Sequence, residues 1–236
     1  MDEPRIGTVQ ESLARGVLGT VPIEKDGSVH FTAPAGKTIY FQALDENGFA
    51  VQSMMSATYV HPGERLSCQG CHEPRLGAPS APRLVEAMKR APSKLEPDVE
   101  GSFPLSFPRL VQPVLDRKCL PCHQKNKKAP NLSGTEKGKN SWSRAYDTLH
   151  RYGSGGSGKP PNRQPVRTVP GKFGALASKL YQVLARHKKE KGKEFDLSAE
   201  EMHRIALWLD CNINFFGAYR EVDKQFKGEL VMPSIE

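Results

Sequence analysis

The chain has 236 residues, 37% hydrophobic and only 8% aromatic, with 21 Gly, 19 Pro and a formal charge of +8. That length holds one large domain or two small ones, and the apolar content is lean for a single core of that size without a large apolar cofactor to pack against. No apolar run is long enough to span a membrane, and no recognition motif or aromatic interleaving accompanies the basic residues, so nucleic acid is not an expected partner; a positive face suits an acidic redox partner instead.

The first hundred residues read as β-rich. "SVHFTA" (28–33) alternates Val29 and Phe31 against His30 and Thr32. In "KTIYFQALDENGFAVQSM" (37–54), two β-rich runs flank Asp45-Glu46-Asn47-Gly48, a hairpin signal. A small antiparallel sheet or sandwich is expected there. "HPGERLSCQGCHEPR" (61–75) is a loop, and "APSAPRLVEAMKRAPSKLEP" (78–97) holds a short helix around Leu84, Val85 and Met88 before a Pro-rich linker. A boundary near residue 100 is expected, giving a β-rich part (1–100) and a helical part (101–236).

"FPRLVQPVLDRKCLPCH" (107–123) is apolar-periodic, with Leu110, Val111, Val114 and Leu115 on its buried side. "SWSRAYDTLHRY" (141–152) predicts a helix burying Trp142, Ala145, Tyr146 and Leu149, and "GSGGSGKPPNRQP" a loop. "KFGALASKLYQVLARH" predicts a helix whose Leu176, Leu180, Val183 and Leu184 share a face with His187. "LSAEEMHRIALWLDCNINFFG" opens with a capping box, Ser198 to Glu201, and continues through Met202, Ile205, Ala206 and Leu209. The expected class is α+β: a small antiparallel β-rich part, then a mainly helical domain.

Four of the five cysteines fall in two copies of Cys-x-x-Cys-His: Cys68, Cys71, His72 and Cys119, Cys122, His123. Two thiols three positions apart can each form a thioether to one vinyl group of a haem, and the adjacent His is then tethered beneath the iron. Two covalently attached haems c are expected, with His72 and His123 as axial ligands. A zinc tetrathiolate needs no His after each pair, and the gap from Cys71 to Cys119 is long for a zinc ribbon. A thioredoxin-like motif needs a strand-to-helix setting, and the first motif lies among Pro and Gly. Cys211 reads as a small buried hydrophobe.

Each iron has a second axial place. On the second haem His187, ending an apolar stripe, is favoured and His203 is the alternative; Met202 is explained by packing. On the first, His61 lies seven residues before Cys68 across a Pro-Gly turn, while His30 and His150 would have to arrive from elsewhere. An open sixth position is equally allowed, and it decides function. A haem with two protein ligands shuttles electrons, whereas an open one binds small molecules. Electron transfer is the expected role, with a redox enzyme or gas sensor at an open first haem as the alternative. No residue can be named as catalytic. "MDEPRIGTVQ" is no secretory signal. Because c-type haem is attached outside the cytoplasm, a longer parent chain and a periplasmic or otherwise exported location are expected, with a redox partner protein or fused enzyme domain.

The order of residues 103–220 (helix, Cys-x-x-Cys-His, loops, distal ligand, final amphipathic helix) resembles class I cytochromes c. Over nearly the whole chain, "FTAPAGKTIYFQALDENGFAVQSM", "YVHPGERLSCQGCHEPR", "RLVQPVLDRKCLPCH" and "LSAEEMHRIALWLDCNINFFGAY" resemble the haem-bearing C-terminal part of proteins related to the hydrazine synthase α subunit of planctomycetes and their relatives. The resemblance implies a first haem as the catalytic candidate and a bis-His second haem that relays electrons. It also implies a Tyr ligand four residues after the first motif His. Here that position is Leu76, which cannot ligate iron, so a related dihaem protein of different chemistry is expected.

Overall fold

A computed structural model describes residues 4–8, 13–54, 56–69, 84–153, 169–192 and 196–233. Strands β1 (Gln42–Leu44) and β2 (Ala50–Ser53) form a two-stranded antiparallel sheet, with a register shift between Ala43 and Leu44. The hairpin signal works through the Asp45 side chain, whose Oδ1 accepts from the N–H of Asn47 and of Phe49, both at 2.9 Å. Gly48 completes the turn at φ +79°, a conformation that costs glycine little.

The strand expected at 28–33 is reduced to one bridge between Phe31 and Ser93. Its partner segment carries Pro92 and Pro97, which lack the N–H a longer ladder would use. The helix expected around Leu84 and Met88 is a single 3-10 turn, Glu86–Lys89, and both of those side chains are exposed while Ala87 points inward. Asp26 and Ser28 reach across to accept from the Glu86 and Ala87 N–H groups.

The remaining elements are helical: α1 (Phe107–Leu110), α2 (Gln112–Lys118), α3 (Leu120–Lys125), α4 (Arg144–Gly153), α5 (Gly174–Ala177), α6 (Lys179–Lys191), α7 (Ala199–Asp210) and α8 (Val222–Phe226). The run 107–123 breaks into three short helices because Pro113 and Pro121 each sit in a first turn, where the missing N–H does no harm, and cannot continue the helix before it. Ser178 caps α6 by accepting from the Tyr181 N–H at 3.0 Å. The capping box of α7 is present in both directions, Glu201 N–H to Ser198 Oγ at 3.1 Å and Ser198 N–H to Glu201 Oε2 at 2.9 Å.

The core gathers around Phe107, Tyr146, Trp208, Phe215 and Phe216, all fully buried, with Leu110, Val111, Val114, Leu115, Leu149, Leu180 and Leu184 around them. The residues before position 100 share it. Ile6 is buried in the same cluster and its carbonyl accepts the Phe215 N–H at 2.7 Å. Phe49 meets Tyr181 edge to face with centroids 5.2 Å apart. The described chain is therefore mixed α+β and mostly helical. Among the described residues no helix is long and apolar enough to cross a membrane. Cys211 is buried, as a small hydrophobe would be, beneath the Tyr40 hydroxyl.

Candidate functional site

The second cysteine motif occupies the joint between α2 and α3. Cys119 ends one helix and starts the next, Cys122 follows one turn on, and the His123 N–H donates to the Cys119 carbonyl at 3.1 Å. Spacings of three and four place both thiols and the imidazole along one side of that turn. Cys122 is exposed, while Cys119 packs against the core. Burial, then the neighbouring Cys122 and Glu201, pushes the Cys119 thiol up to about 11.

The His123 ring is oriented by the backbone. Its Nδ1 lies 2.8 Å from the Pro130 carbonyl oxygen. A carbonyl only accepts, so Nδ1 carries a proton, and in the neutral ring the lone pair is then on Nε2. A metal-ligating histidine is ordinarily fixed by such a bond on its other nitrogen. Two thiols on one turn, and an imidazole whose Nδ1 is held by a carbonyl so that Nε2 is left to ligate, fit a haem c.

Glu201 ties this joint to α7. Its carboxylate meets Arg117 at 3.3 Å and Lys118 at 3.6 Å. Burial opposes its charge, but the Ser198 N–H, Arg117 and Lys118 outweigh it and hold Glu201 below its usual range.

The histidines divide clearly. His187 is half-buried near the end of α6, with Nδ1 3.0 Å from the Val183 carbonyl of its own helix. His203 is engaged through Nε2, which lies 2.8 Å from Asp98 Oδ1, while Nδ1 faces the Gly48 backbone. Its Nε2 is therefore taken by the carboxylate. His150 meets Trp142 edge to face and Tyr146 at a tilt, and burial holds its pKa down.

The His203–Asp98 pair joins α7 to the segment before residue 100 and to the hairpin turn. The hydrogen bond to Asp98 raises His203 above its ordinary 6.5. Asp98 is held below 3.8 because that bond and the Val99 N–H outweigh its burial. The histidine's contribution is complete below pH 6.5 and fades as pH rises through its raised value; the carboxylate's is present above pH 3.8 and fades below it. His203→Ala is therefore expected to cost about 2 kcal/mol between pH 4 and 6.5, and less once the pH has passed the raised value. Urea unfolding across that range measures it, and a deficit that grows with pH would contradict the assignment.

Cys68, of the first motif, is exposed. Cys71, His72 and Leu76 lie outside the described residues. His61 is exposed on a turn that Glu64 closes by accepting the His61 N–H at 2.7 Å, and its ring meets Tyr59 edge to face. Among the described residues, no group of three or more His, Cys, Asp or Glu side chains is placed to hold a metal ion. An open cleft of about 470 Å³ lies elsewhere, along α4, where Lys139, Arg144 and Arg151 face Glu136 and Asp147.

Sequence reasoning missed Pro130 and Asp98. Pro130 serves by its carbonyl, which no residue type announces, and Asp98 stands alone among prolines and acids without a periodic pattern to mark it.

The chain is a distant relative of the hydrazine synthase α subunit. A family model described as hydrazine synthase alpha subunit middle domain matches residues 6–73, so over that stretch the likeness is to a middle domain, where the sequence suggested a C-terminal part. The hydrazine synthase subunit alpha of Kuenenia stuttgartiensis is 24% identical over 260 residues, covering 83% of this chain and 31% of the relative. The solved structure of Kuenenia stuttgartiensis hydrazine synthase matches with a TM-score of 0.52 at 22% identity, over 83% of this chain and 32% of that one. The chain thus spans about a third of the length of the relatives it matches.

Proposed function

We propose that this chain is a dihaem c-type cytochrome module that transfers electrons. The observation that carries the reading is the second Cys-x-x-Cys-His, set on a single turn with the His123 tautomer fixed by the Pro130 carbonyl. Cys119 and Cys122 hold one haem and Cys68 and Cys71 the other, with His123 and His72 as proximal ligands. Residues 101–236 are the cytochrome c-like unit around the second haem, and residues 1–100 carry the first.

Haem c bound there supplies one-electron exchange between ferric and ferrous iron. The chain's residues anchor it and set its environment. His187 is the distal ligand assigned to the second haem; the engagement of His203 Nε2 with Asp98 supports that choice. His61 is the candidate on the first. Leu76 in place of the family's tyrosine argues against hydrazine synthesis at this chain's first haem. The partner is a redox protein or a further domain of a longer exported chain, and the net positive charge favours an acidic docking face.

Intact mass of the protein matured with c-type haem should exceed that of the polypeptide by two haems, and acid–acetone should extract neither. CO added to the reduced protein should leave both spectra unchanged. Bare or zinc-bound mass would end the cytochrome reading. CO binding at one haem would replace electron transfer by small-molecule chemistry at that site.

A further inference from the structure

The loop between α3 and α4 holds three successive backbone carbonyls, each paired with a side chain from a different helix. Pro130 O accepts from His123 Nδ1 on α3 at 2.8 Å. Asn131 O accepts from Thr148 Oγ1 on α4 at 2.9 Å. Leu132 O accepts from Gln112 Nε2 on α2 at 3.2 Å. The Asn131 side chain adds two local bonds, accepting from the Ser133 N–H at 2.8 Å and donating to Glu136 at 2.9 Å.

Peptide units are planar, so pinning one carbonyl leaves its neighbour only two soft dihedrals of freedom. Two pinned carbonyls in a row leave the Pro130 oxygen little room to move. Gln112 is itself fixed: it is buried, its amide also donates to Asp116 at 2.7 Å, and Gly134 packs against it so closely that a Cβ there would collide. Because Gln112 opens α2 and Cys119 closes it, the same helix sets the thiol and the acceptor loop.

We infer that Thr148 and Gln112 are positioning residues for the His123 ring, anchoring the loop that keeps the Pro130 carbonyl against Nδ1. The inference rests on His123 serving as an axial ligand. A histidine that donates firmly through one nitrogen is a more basic ligand through the other, and a more basic axial ligand favours ferric iron. Loosening the bracket should raise the potential of the second haem.

The test uses the dihaem protein with ¹⁵N-labelled histidine. In Thr148→Val the second haem's midpoint potential should rise, and the His123 Nδ1–H should exchange with solvent about tenfold faster, roughly the equivalent of one ordinary hydrogen bond. Thr148→Ser, which keeps the hydroxyl, should restore both values. Gln112→Leu, removing the other anchor, should reproduce the Val phenotype and serves if the Val variant does not fold. Unchanged potential and exchange in both variants, with haem on Cys119 and Cys122, would overturn the inference. If no haem is attached, the cytochrome reading falls by itself. The ¹⁵N shifts of His123 then decide the bracket: Nδ1-protonated in the parent and a tautomer mixture in Thr148→Val supports it, and an unchanged tautomer overturns it.

Discussion

Phe107→Ala is expected to destabilise the protein by about 3–5 kcal/mol, the range for truncating a fully buried aromatic residue. Phe107 lies at the centre of the core with no exposed surface. Its ring touches Tyr146, Trp208 and Phe215, with centroids 5.3, 5.1 and 5.8 Å away. Each well-set aromatic pair adds about 0.5–1.5 kcal/mol beyond the area it buries. The flanking backbone resists closing the void, because the Phe107 N–H is bonded to the Phe215 carbonyl at 3.1 Å and the Tyr146 hydroxyl to the Ile213 carbonyl at 2.5 Å. Those bonds hold α1, α4 and the segment after α7 in place. Phe41→Ala, at an exposed ring of the β-rich part, is the control and should cost less than about 1 kcal/mol, as surface substitutions do. Equal losses in the two variants by denaturant unfolding would mean that the aromatic cluster is not the centre of stability.

Periodicity marked the helices around Phe107 and not Phe107 itself. The apolar stripes of α2, α4, α6 and α7 name their buried residues because a helix repeats its environment every three or four positions. Val114, Leu115, Tyr146, Leu180 and Ile205 are all where that spacing puts them. The hairpin was equally legible, since Asp45 and Gly48 act within the turn itself. Outcomes that depended on distant partners were not. The stretch at 28–33 alternates as a strand should, yet the segment opposite it carries prolines, so one bridge forms. Leu84 and Met88 have helical spacing and stay exposed. At the candidate site, Cys119, Cys122 and His123 announce themselves by residue type, because only thiols and imidazole do that chemistry. The carbonyls of Pro130, Asn131 and Leu132 do not, because every residue has one. His203 sits beside an apolar face and reads as a plausible ligand until Asp98, 105 positions earlier, is found against it.

Asp210 is the second position where a single change is expected to have a large effect, and the size should depend on pH. It ends α7, nearly buried, and stitches four elements together. Oδ1 accepts the Ala175 N–H of α5 at 2.7 Å, Oδ2 accepts the Ala50 N–H of β2 at 3.0 Å, and its carbonyl accepts the Gln42 amide of β1 at 3.0 Å. Gly174, at φ +57°, leaves the space that Oδ1 occupies, and a Cβ there would collide with it. Burial pushes the Asp210 carboxyl up to about 6, against the pull of the two N–H donors and with help from nearby Asp45. Between its ordinary 3.8 and about 6 the folded chain holds a proton that the unfolded chain has released. Stability from this group is therefore greatest at low pH and falls as pH rises through that window, by about 3 kcal/mol in all. Asp210→Ala leaves two buried N–H groups without acceptors, each costing about 1–3 kcal/mol. Its deficit against the parent should be largest near pH 4 and should shrink by pH 8, where the parent carries the cost of a buried charge. Asp210→Asn keeps the shape, loses one acceptor and removes the pH dependence. Unfolding free energies measured from pH 4 to 8 decide the matter: a deficit for Asp210→Ala that stays flat, or widens as pH rises, would show that burial does not outweigh the two N–H donors in holding a proton on Asp210.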